Sequence, residues 1–87
     1  MKRLVEEVSG EGLQSLLGET VVLFCMNYFY TGKLTGVNDD DVILTDPEII
    51  YETGSFSDSG WKDAQRLLFC DELYIRTASI ESYGKVK

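Results

Sequence analysis

The sequence contains no histidine, which excludes Ser-His-Asp and Cys-His nucleophile pairs and removes the commonest protein ligand of transition metals. Positive charge is scarce as well, because 8 Lys and Arg residues stand against 15 Asp and Glu residues, for a formal net charge of −7. Broad electrostatic attraction to nucleic acid or to an anionic membrane requires an excess of Lys and Arg. The negative net charge still allows a local basic spot on the surface. No catalytic constellation is visible, so the composition favours a protein that is not an enzyme.

Cysteine and proline are rare too. Cys25 and Cys70 lie far apart inside apolar runs, and they form neither a CxxC pair nor the spacing of zinc ligands. Two readings stay open for them, of which buried free thiols in a reducing compartment are favoured over a disulfide. With one proline and 44% hydrophobic residues, the chain is predicted to be globular rather than disordered.

Long apolar runs are also missing, since no stretch approaches the roughly 20 residues of a membrane span. The segment Met1–Glu7 turns acidic too early for a signal peptide. A chain of 87 residues is expected to form one domain that gains stability from oligomerisation. We therefore expect a cytoplasmic protein without a cofactor.

The apolar periodicity predicts a helix followed by five strands. Residues 2–17 show a helical spacing that Gly10 and Gly12 are expected to break. From Thr20 the period changes to two, which predicts strands over 20–26, 29–37, 41–46 (interrupted at Pro47 and resuming over 49–51), 66–76 and 79–83. Residues 27–28 and 38–40 have turn composition, and residues 53–63 have loop composition. This order, with glycines at bend points, favours a mainly β, strongly bent antiparallel barrel of the SH3-like type.

Several apolar side chains allow two interpretations. Val22, Phe24 and Met26 would lie on the face of the first strand that should be polar, so either the N-terminal arm (Leu4, Val5, Val8) or a partner covers them. Trp61 and Phe56 in the polar loop either fold back onto the barrel or anchor a partner. The aromatic run 28–30 lacks neighbouring Lys or Arg, which favours strand packing over a base-stacking platform.

Two blocks of the sequence resemble the paired motifs of the Sm and Sm-like (Lsm) proteins. The block that resembles the second motif is Leu73–Ile80. The block that resembles the first motif consists of Leu16-Leu17-Gly18, Val21-x-Leu23, Tyr30-x-Gly32-x-Leu34-x-Gly36-Val37-Asn38-Asp39 and Val42-Ile43-Leu44. The chain lacks the Tyr-Lys-His motif of the bacterial host-factor branch. The resemblance divides the single domain into an arm and helix (1–17), a first motif (18–46), a variable segment (47–65) and a second motif (66–84).

The resemblance implies an N-terminal α-helix on a five-stranded bent barrel and a homo-oligomeric ring of about five to seven subunits. In such rings the fourth strand of one subunit pairs with the fifth strand of the next, and closure removes unpaired strand edges. The ring interface is then expected to involve Leu68, Cys70, Leu73, Ile75, Ile80 and Tyr83. The implied activity is non-enzymatic binding of single-stranded, often uridine-rich, RNA near the pore.

The residues at the family's RNA contacts depart from its pattern. Asp40 and Asp41 stand where the family has a stacking residue and a base-reading Asn, Arg76 matches its base-holding arginine, and Thr77 replaces the glycine that follows. A carboxylate offers no face on which a base can stack, and adjacent carboxylates repel phosphate. We therefore expect weak RNA binding or an altered base preference. The alternative is a ring that has lost the recognition of RNA and serves as a structural or protein-interaction scaffold.

Two further alternatives stay open at these residues. Asp39, Asp40 and Asp41 could together hold Mg²⁺ or Ca²⁺, or they could form a solvated turn in which a side chain bonds its own backbone. The Gly and distal Glu of a calcium loop are absent from the sequence. Arg76 is either a ligand contact or a structural arginine paired with a carboxylate of its own or the next subunit.

Overall fold

The computed structural model describes residues 12–87. Six strands carry the fold, and two short 3-10 turns, at Leu13–Leu16 and Thr77–Ser79, precede the first and the last of them. The strands are β1 Thr20–Cys25, β2 Phe29–Val37, β3 Asp41–Glu52, β4 Asp63–Arg66, β5 Glu72–Arg76 and β6 Ile80–Lys85. The predicted mainly β class is confirmed. Within the described part of the chain, no helix is long and apolar enough to span a bilayer.

All strand pairings are antiparallel, in the order β4-β3-β2-β1-β6, with β5 also pairing to β3. Because side chains alternate across a strand, one face of the sheet collects the apolar core. Ile75 of β5 and Ile80 of β6 both pack on this core. Yet β5 and β6 do not pair with each other within the described residues and lie at opposite ends of the path β5-β3-β2-β1-β6. The sheet must therefore bend strongly around one cluster, which contains Val21, Leu23, Cys25, Leu34, Val42, Leu44 and Ile75.

The predicted N-terminal α-helix is wrong within the described residues, where a 3-10 turn of four residues stands instead. Gly12 and Gly18, at φ 82° and 88°, flank this turn in the left-handed region and leave too few residues for an α-helix between them. Leu13 and Leu16 are half-buried and pack on the core, as their apolar spacing predicts. The remainder of the predicted helix, with Leu4, Val5 and Val8, lies outside the described residues.

The prediction of five strands is also wrong. Of the long fourth strand predicted over 66–76, only Glu72–Arg76 forms a strand, β5, and a separate strand, β4, lies over Asp63–Arg66. Their partner β3 does not end at Pro47 but passes through it, with Asp46 at φ 52°. The Leu67 N–H donates to the Pro47 carbonyl at 3.0 Å and the Asp46 N–H donates to the Asp71 carbonyl at 2.9 Å. Between these two bonds, residues 67–71 leave the ladder as a turn whose Leu68 and Phe69 side chains are 85% and 83% exposed.

The face of the sheet opposite the core forms an apolar groove. Trp61 folds back against this face, as the first of its two readings predicts, and it is half-buried there. Val22 is half-buried on this face. Met26, which was predicted to share that cover, lies beyond the end of β1 and is 80% exposed. We call this feature the outer groove; it is lined mainly by Val22, Phe24, Phe29, Ile50, Phe56 and Trp61.

Candidate functional site

The turn between β2 and β3 is shaped by the Asn38 side chain. Its Oδ1 atom accepts hydrogen bonds from the N–H groups of both Asp40 and Asp41, each at 2.8 Å. The Asn38 N–H in turn donates to the Asp41 carbonyl at 3.0 Å. Asparagine commonly bonds its own backbone two residues on, which explains why the chain turns at this point. The three aspartates are therefore held on a defined loop.

The start of β3 and the end of β5 bring the predicted RNA-contact residues together. Asp41 and Arg76 are direct partners in the β3–β5 register. Just beyond them, the Thr77 N–H donates to the Asp40 carbonyl at 2.9 Å, and Thr77 Oγ1 donates to the Asp39 carbonyl at 2.8 Å. Residues 38–41 and 76–77 thus form one cluster, which we call the aspartate loop site.

The charges of the aspartate loop site partly neutralise one another. Arg76 Nε lies 3.5 Å from Asp41 Oδ1, so Arg76 is paired with a carboxylate of its own chain. The Arg76 side chain is 73% exposed, and an exposed pair of this kind contributes at most about 1 kcal/mol. Asp39 and Asp40 are exposed to solvent beside this pair. The guanidinium can therefore exchange Asp41 for a ligand at small cost, but any ligand meets negative charge on arrival.

The aspartate loop has the hydrogen bonding of a solvated turn. Within residues 12–87, no three acidic or thiol side chains converge closely enough to bind a metal ion. The loop is instead a solvated turn, in which the Asn38 amide rather than an aspartate carboxylate accepts the backbone hydrogen bonds. Of the two alternatives for Asp39, Asp40 and Asp41, these hydrogen bonds favour the solvated turn.

The predicted ring-interface residues fall into two groups. Leu68 is 85% and Tyr83 42% exposed, whereas Cys70, Leu73 and Ile80 are half-buried and Ile75 is buried at 7%. Leu73 and Ile75 alternate with exposed Tyr74 along β5 and pack on the chain's own core. Cys25 and Cys70 are both free thiols.

Asn38 is the residue of the site to which the sequence analysis assigned no role. Residues 38–40 were expected to turn, but the side chain that fixes the turn was not singled out. The signal was present, because asparagine followed by two or three polar residues between strands is typical of a turn closed by the asparagine side chain.

The comparisons with known proteins bear on the fold. No family model matches the sequence, and no curated protein sequence matches it. The structure is similar to the solved structure of a Pyrococcus abyssii Sm protein in complex with a uridine heptamer, with a TM-score of 0.61. The two are 18% identical, over 83% of this chain and 89% of that one. The chain therefore has an Sm-like fold.

Proposed function

We propose that this protein is a non-enzymatic, homo-oligomeric ring of about five to seven subunits that binds single-stranded RNA weakly at the aspartate loop site. The observation that carries the proposal is the similarity of the fold to an Sm protein solved with a uridine heptamer. The arrangement of Asp40, Asp41, Arg76 and Thr77 in one cluster supports it, because these are the positions at which the resemblance places RNA contacts.

The strand edges support the ring. Among the described residues, β6 pairs only with β1, and β5 pairs only with β3, so each leaves one edge without a hydrogen-bonded neighbour. An unpaired edge is a liability in a monomer, because it can join any exposed strand. Pairing β5 of one subunit with β6 of the next uses both edges, and a closed ring leaves neither one free.

Weak binding follows from the charges of the aspartate loop site. Each subunit presents the carboxylates of Asp39, Asp40 and Asp41 on one loop, and only that of Asp41 is paired with Arg76. A ring repeats this negative charge in every subunit. An ionised carboxylate can only accept hydrogen bonds and offers no aromatic face for a base. We therefore expect a dissociation constant for oligo-U no tighter than about 10 μM at physiological salt, or roughly −7 kcal/mol.

A second candidate function is a ring that acts as a structural or protein-interaction scaffold. The observation in its favour is the ion pair between Arg76 and Asp41, which occupies the guanidinium that would otherwise hold a base. The negative loop would then keep RNA away from the ring.

Fluorescence anisotropy with oligo-U and oligo-A distinguishes the two functions. The double substitution Asp40→His with Asp41→Asn supplies an aromatic ring and an amide, and it frees Arg76 from its ion pair. Affinity for oligo-U should tighten at least about tenfold, or ~1.4 kcal/mol, and adding Arg76→Ala should abolish the gain. If neither wild-type nor double variant binds at any accessible concentration, the scaffold is favoured instead.

A matched control separates the site from net charge. Asp63→His with Asp71→Asn makes the same exchange of residue types at exposed positions outside the aspartate loop site. This variant should bind oligo-U within about twofold of wild type. Equal tightening in both variants would mean that overall repulsion, rather than contact at the loop, limits binding.

Ring formation is tested by light scattering of the wild-type protein at micromolar concentration. We expect a particle of at least about five subunits, since a ring must close on itself to bury both edges. A particle with the mass of a single chain would contradict the ring, while leaving the Sm-like fold of the subunit intact.

A further inference from the structure

The outer groove shares no lining residue with the aspartate loop site or with β5 and β6, whose edges the proposed ring uses. It has a volume of about 150 Å³ and is lined on one side by the sheet residues Val22, Phe24, Phe29 and Ile50. The rings of Phe24 and Phe29 contact each other with centroids 4.6 Å apart, which fixes the floor of the groove. The other wall comes from residues 53–61 of the loop between β3 and β4.

This loop is held in place by its own backbone. The Lys62 N–H donates to the carbonyls of Glu52 and Thr53, at 3.0 and 3.1 Å, and so closes the base of the loop. Within the loop, the Asp58 N–H donates to the Ser55 carbonyl at 3.1 Å. The base of the loop that carries Trp61 is therefore tied to the end of β3.

The groove still exposes apolar surface to solvent. Phe56, at its rim, is 89% exposed and Phe24, on its floor, is 37% exposed. Exposed apolar side chains gathered in one groove offer a surface on which an apolar segment can pack. Asp58 adds a carboxylate to the lining, so the groove suits an apolar segment that also carries positive charge.

We propose that residues 1–11 of the same chain bind in the outer groove, with Leu4 and Val5 against the aromatic residues and the preceding Lys2-Arg3 pair near Asp58. This segment places two basic residues directly before two apolar ones, which matches a groove with an apolar floor and an acidic rim. The proposal is independent of RNA binding and of ring formation.

The reach of the segment permits this contact. The segment joins the described residues at Gly12, shortly before β1, whose Val22 lines the groove. Leu4 lies eight residues before Gly12, so an extended segment can place it up to roughly 26–29 Å from that residue. This reach is comparable with the two shorter dimensions of the described chain, 30 and 22 Å. Tethering also gives the segment an effective concentration in the millimolar range, which favours it over a free peptide of the same sequence.

The test uses the full-length protein and the fluorescence of Trp61, which is the single tryptophan of the chain. Leu4→Asp with Val5→Asp removes the apolar contact, so acrylamide quenching of Trp61 should increase at least about twofold and its emission should move to longer wavelength. Adding a synthetic peptide of residues 1–11 at millimolar concentration should restore wild-type quenching, and the same peptide with both Asp substitutions should not. Unchanged quenching in the double variant would overturn the proposal.

Two controls sharpen the result. Ser9→Asp with Gly10→Asp adds the same charge to the segment but keeps Leu4 and Val5, and it should leave quenching at the wild-type value. An equal increase in this variant would overturn the proposed apolar contact. Co-refolding the Leu4→Asp, Val5→Asp chain with an excess of a Trp61→Phe chain should leave Trp61 exposed, because each segment serves its own groove. Restored protection would assign the segment to a second copy and overturn the same-chain proposal.

Discussion

Thr31 is a polar side chain inside an apolar core. It is 1% exposed, and its Oγ1 donates a hydrogen bond to the Val21 carbonyl at 2.8 Å. Thr31→Val keeps the shape of the side chain but leaves the carbonyl without this donor. We expect the free energy of unfolding to fall by about 1 kcal/mol in urea denaturation, which is typical of a lost buried hydrogen bond.

Thr35→Val is the matched control on the same strand. Thr35 is exposed, and its hydroxyl lies 2.9 Å from that of Thr45. Water can replace that partner, so the free energy of unfolding should change by less than about 0.5 kcal/mol. A similar loss at both positions would show that burial does not decide the strength of the Thr31 bond.

Cys25 gives the stability a dependence on alkaline pH. Burial raises the pKa of its thiol, and the carboxylate of Glu81 raises it further. The unfolded chain then ionises at a lower pH than the folded one, near the ordinary thiol value of about 8.5. The stability that Cys25 contributes is complete below this pH and is lost as the pH rises toward its folded pKa. Urea unfolding between pH 7 and about 10 should show this loss, and Cys25→Ala should flatten it.

Tyr30 sets the upper end of that pH window. Burial raises the pKa of its hydroxyl, with smaller contributions from Cys25 and Tyr28, so Tyr30 adds a loss of its own above about pH 10. Below that pH, a slope that is the same in wild type and Cys25→Ala would contradict the assignment to the thiol.

The residues of the aspartate loop site could be named from the sequence, and an ion pair of Arg76 was one of two alternatives, but its partner could not be identified. The motif resemblance identified Asp40, Asp41, Arg76 and Thr77, and these are indeed neighbours in space. That Arg76 lies beside Asp41 depends on the register of β3 with β5, two strands far apart in sequence. Register is set by the hydrophobic pattern of the whole sheet, and local spacing in either motif does not specify it.

Among the elements, β3 agrees in part with the prediction made from proline. Proline cannot donate to a ladder, so Pro47 was expected to interrupt the strand. The ladder with β4 and β5 is interrupted there, but β3 itself continues through a bend at Asp46, in the left-handed region, opposite the turn of residues 67–71. The strand boundaries near Cys25, Phe29, Val37 and Asp41 came out close to the predictions, because alternation and turn residues agree there.

Gly32 in β2 is expected to be intolerant of any side chain. A Cβ at this position would lie 3.1 Å from the Thr45 carbonyl oxygen and 3.2 Å from Leu44 Cβ, both on the adjacent strand. Neither atom can move without shifting β3. We expect Gly32→Ala to lower the free energy of unfolding by about 1–3 kcal/mol, as overpacking does. Thermal or urea unfolding measures this loss.

Gly84→Ala in β6 is the control for the loss of backbone flexibility. A Cβ there would meet no atom within 4 Å, and Gly84 also lies inside a strand. This substitution should be neutral or stabilising by up to about 1 kcal/mol, because it restricts the unfolded chain. Destabilisation as large as that of Gly32→Ala would refute the steric explanation.

At the scale of the whole molecule, the exposed turn of residues 67–71 offers a test of assembly that spares the subunit fold. Leu68 and Phe69 are so exposed that they contribute little to the stability of the folded subunit. If they pack against the next subunit of the proposed ring, Leu68→Ser with Phe69→Ser should raise the dissociation constant between subunits at least about tenfold. Light scattering across a dilution series measures this change.

Tyr51→Ser provides the comparison for that variant. Tyr51 is 63% exposed near the end of β3, on a strand that already has a neighbour on each side. Its loss should leave the particle mass unchanged at every dilution. Intact assembly of the Leu68→Ser, Phe69→Ser protein would place the subunit contact elsewhere.

The bend at Asp46 and Pro47 divides the β3 ladder into two blocks. One block joins Asp41–Thr45 to β5, and the other joins Glu48–Glu52 to β4. Only the bonds around the turn of residues 67–71 connect the blocks along this edge. Contiguous blocks of this kind can open separately. The amides of β4 should therefore exchange with solvent deuterium through brief local openings. The amides of β3 that pair with β5, next to the buried Ile75 and Val42, should exchange only when the entire domain unfolds.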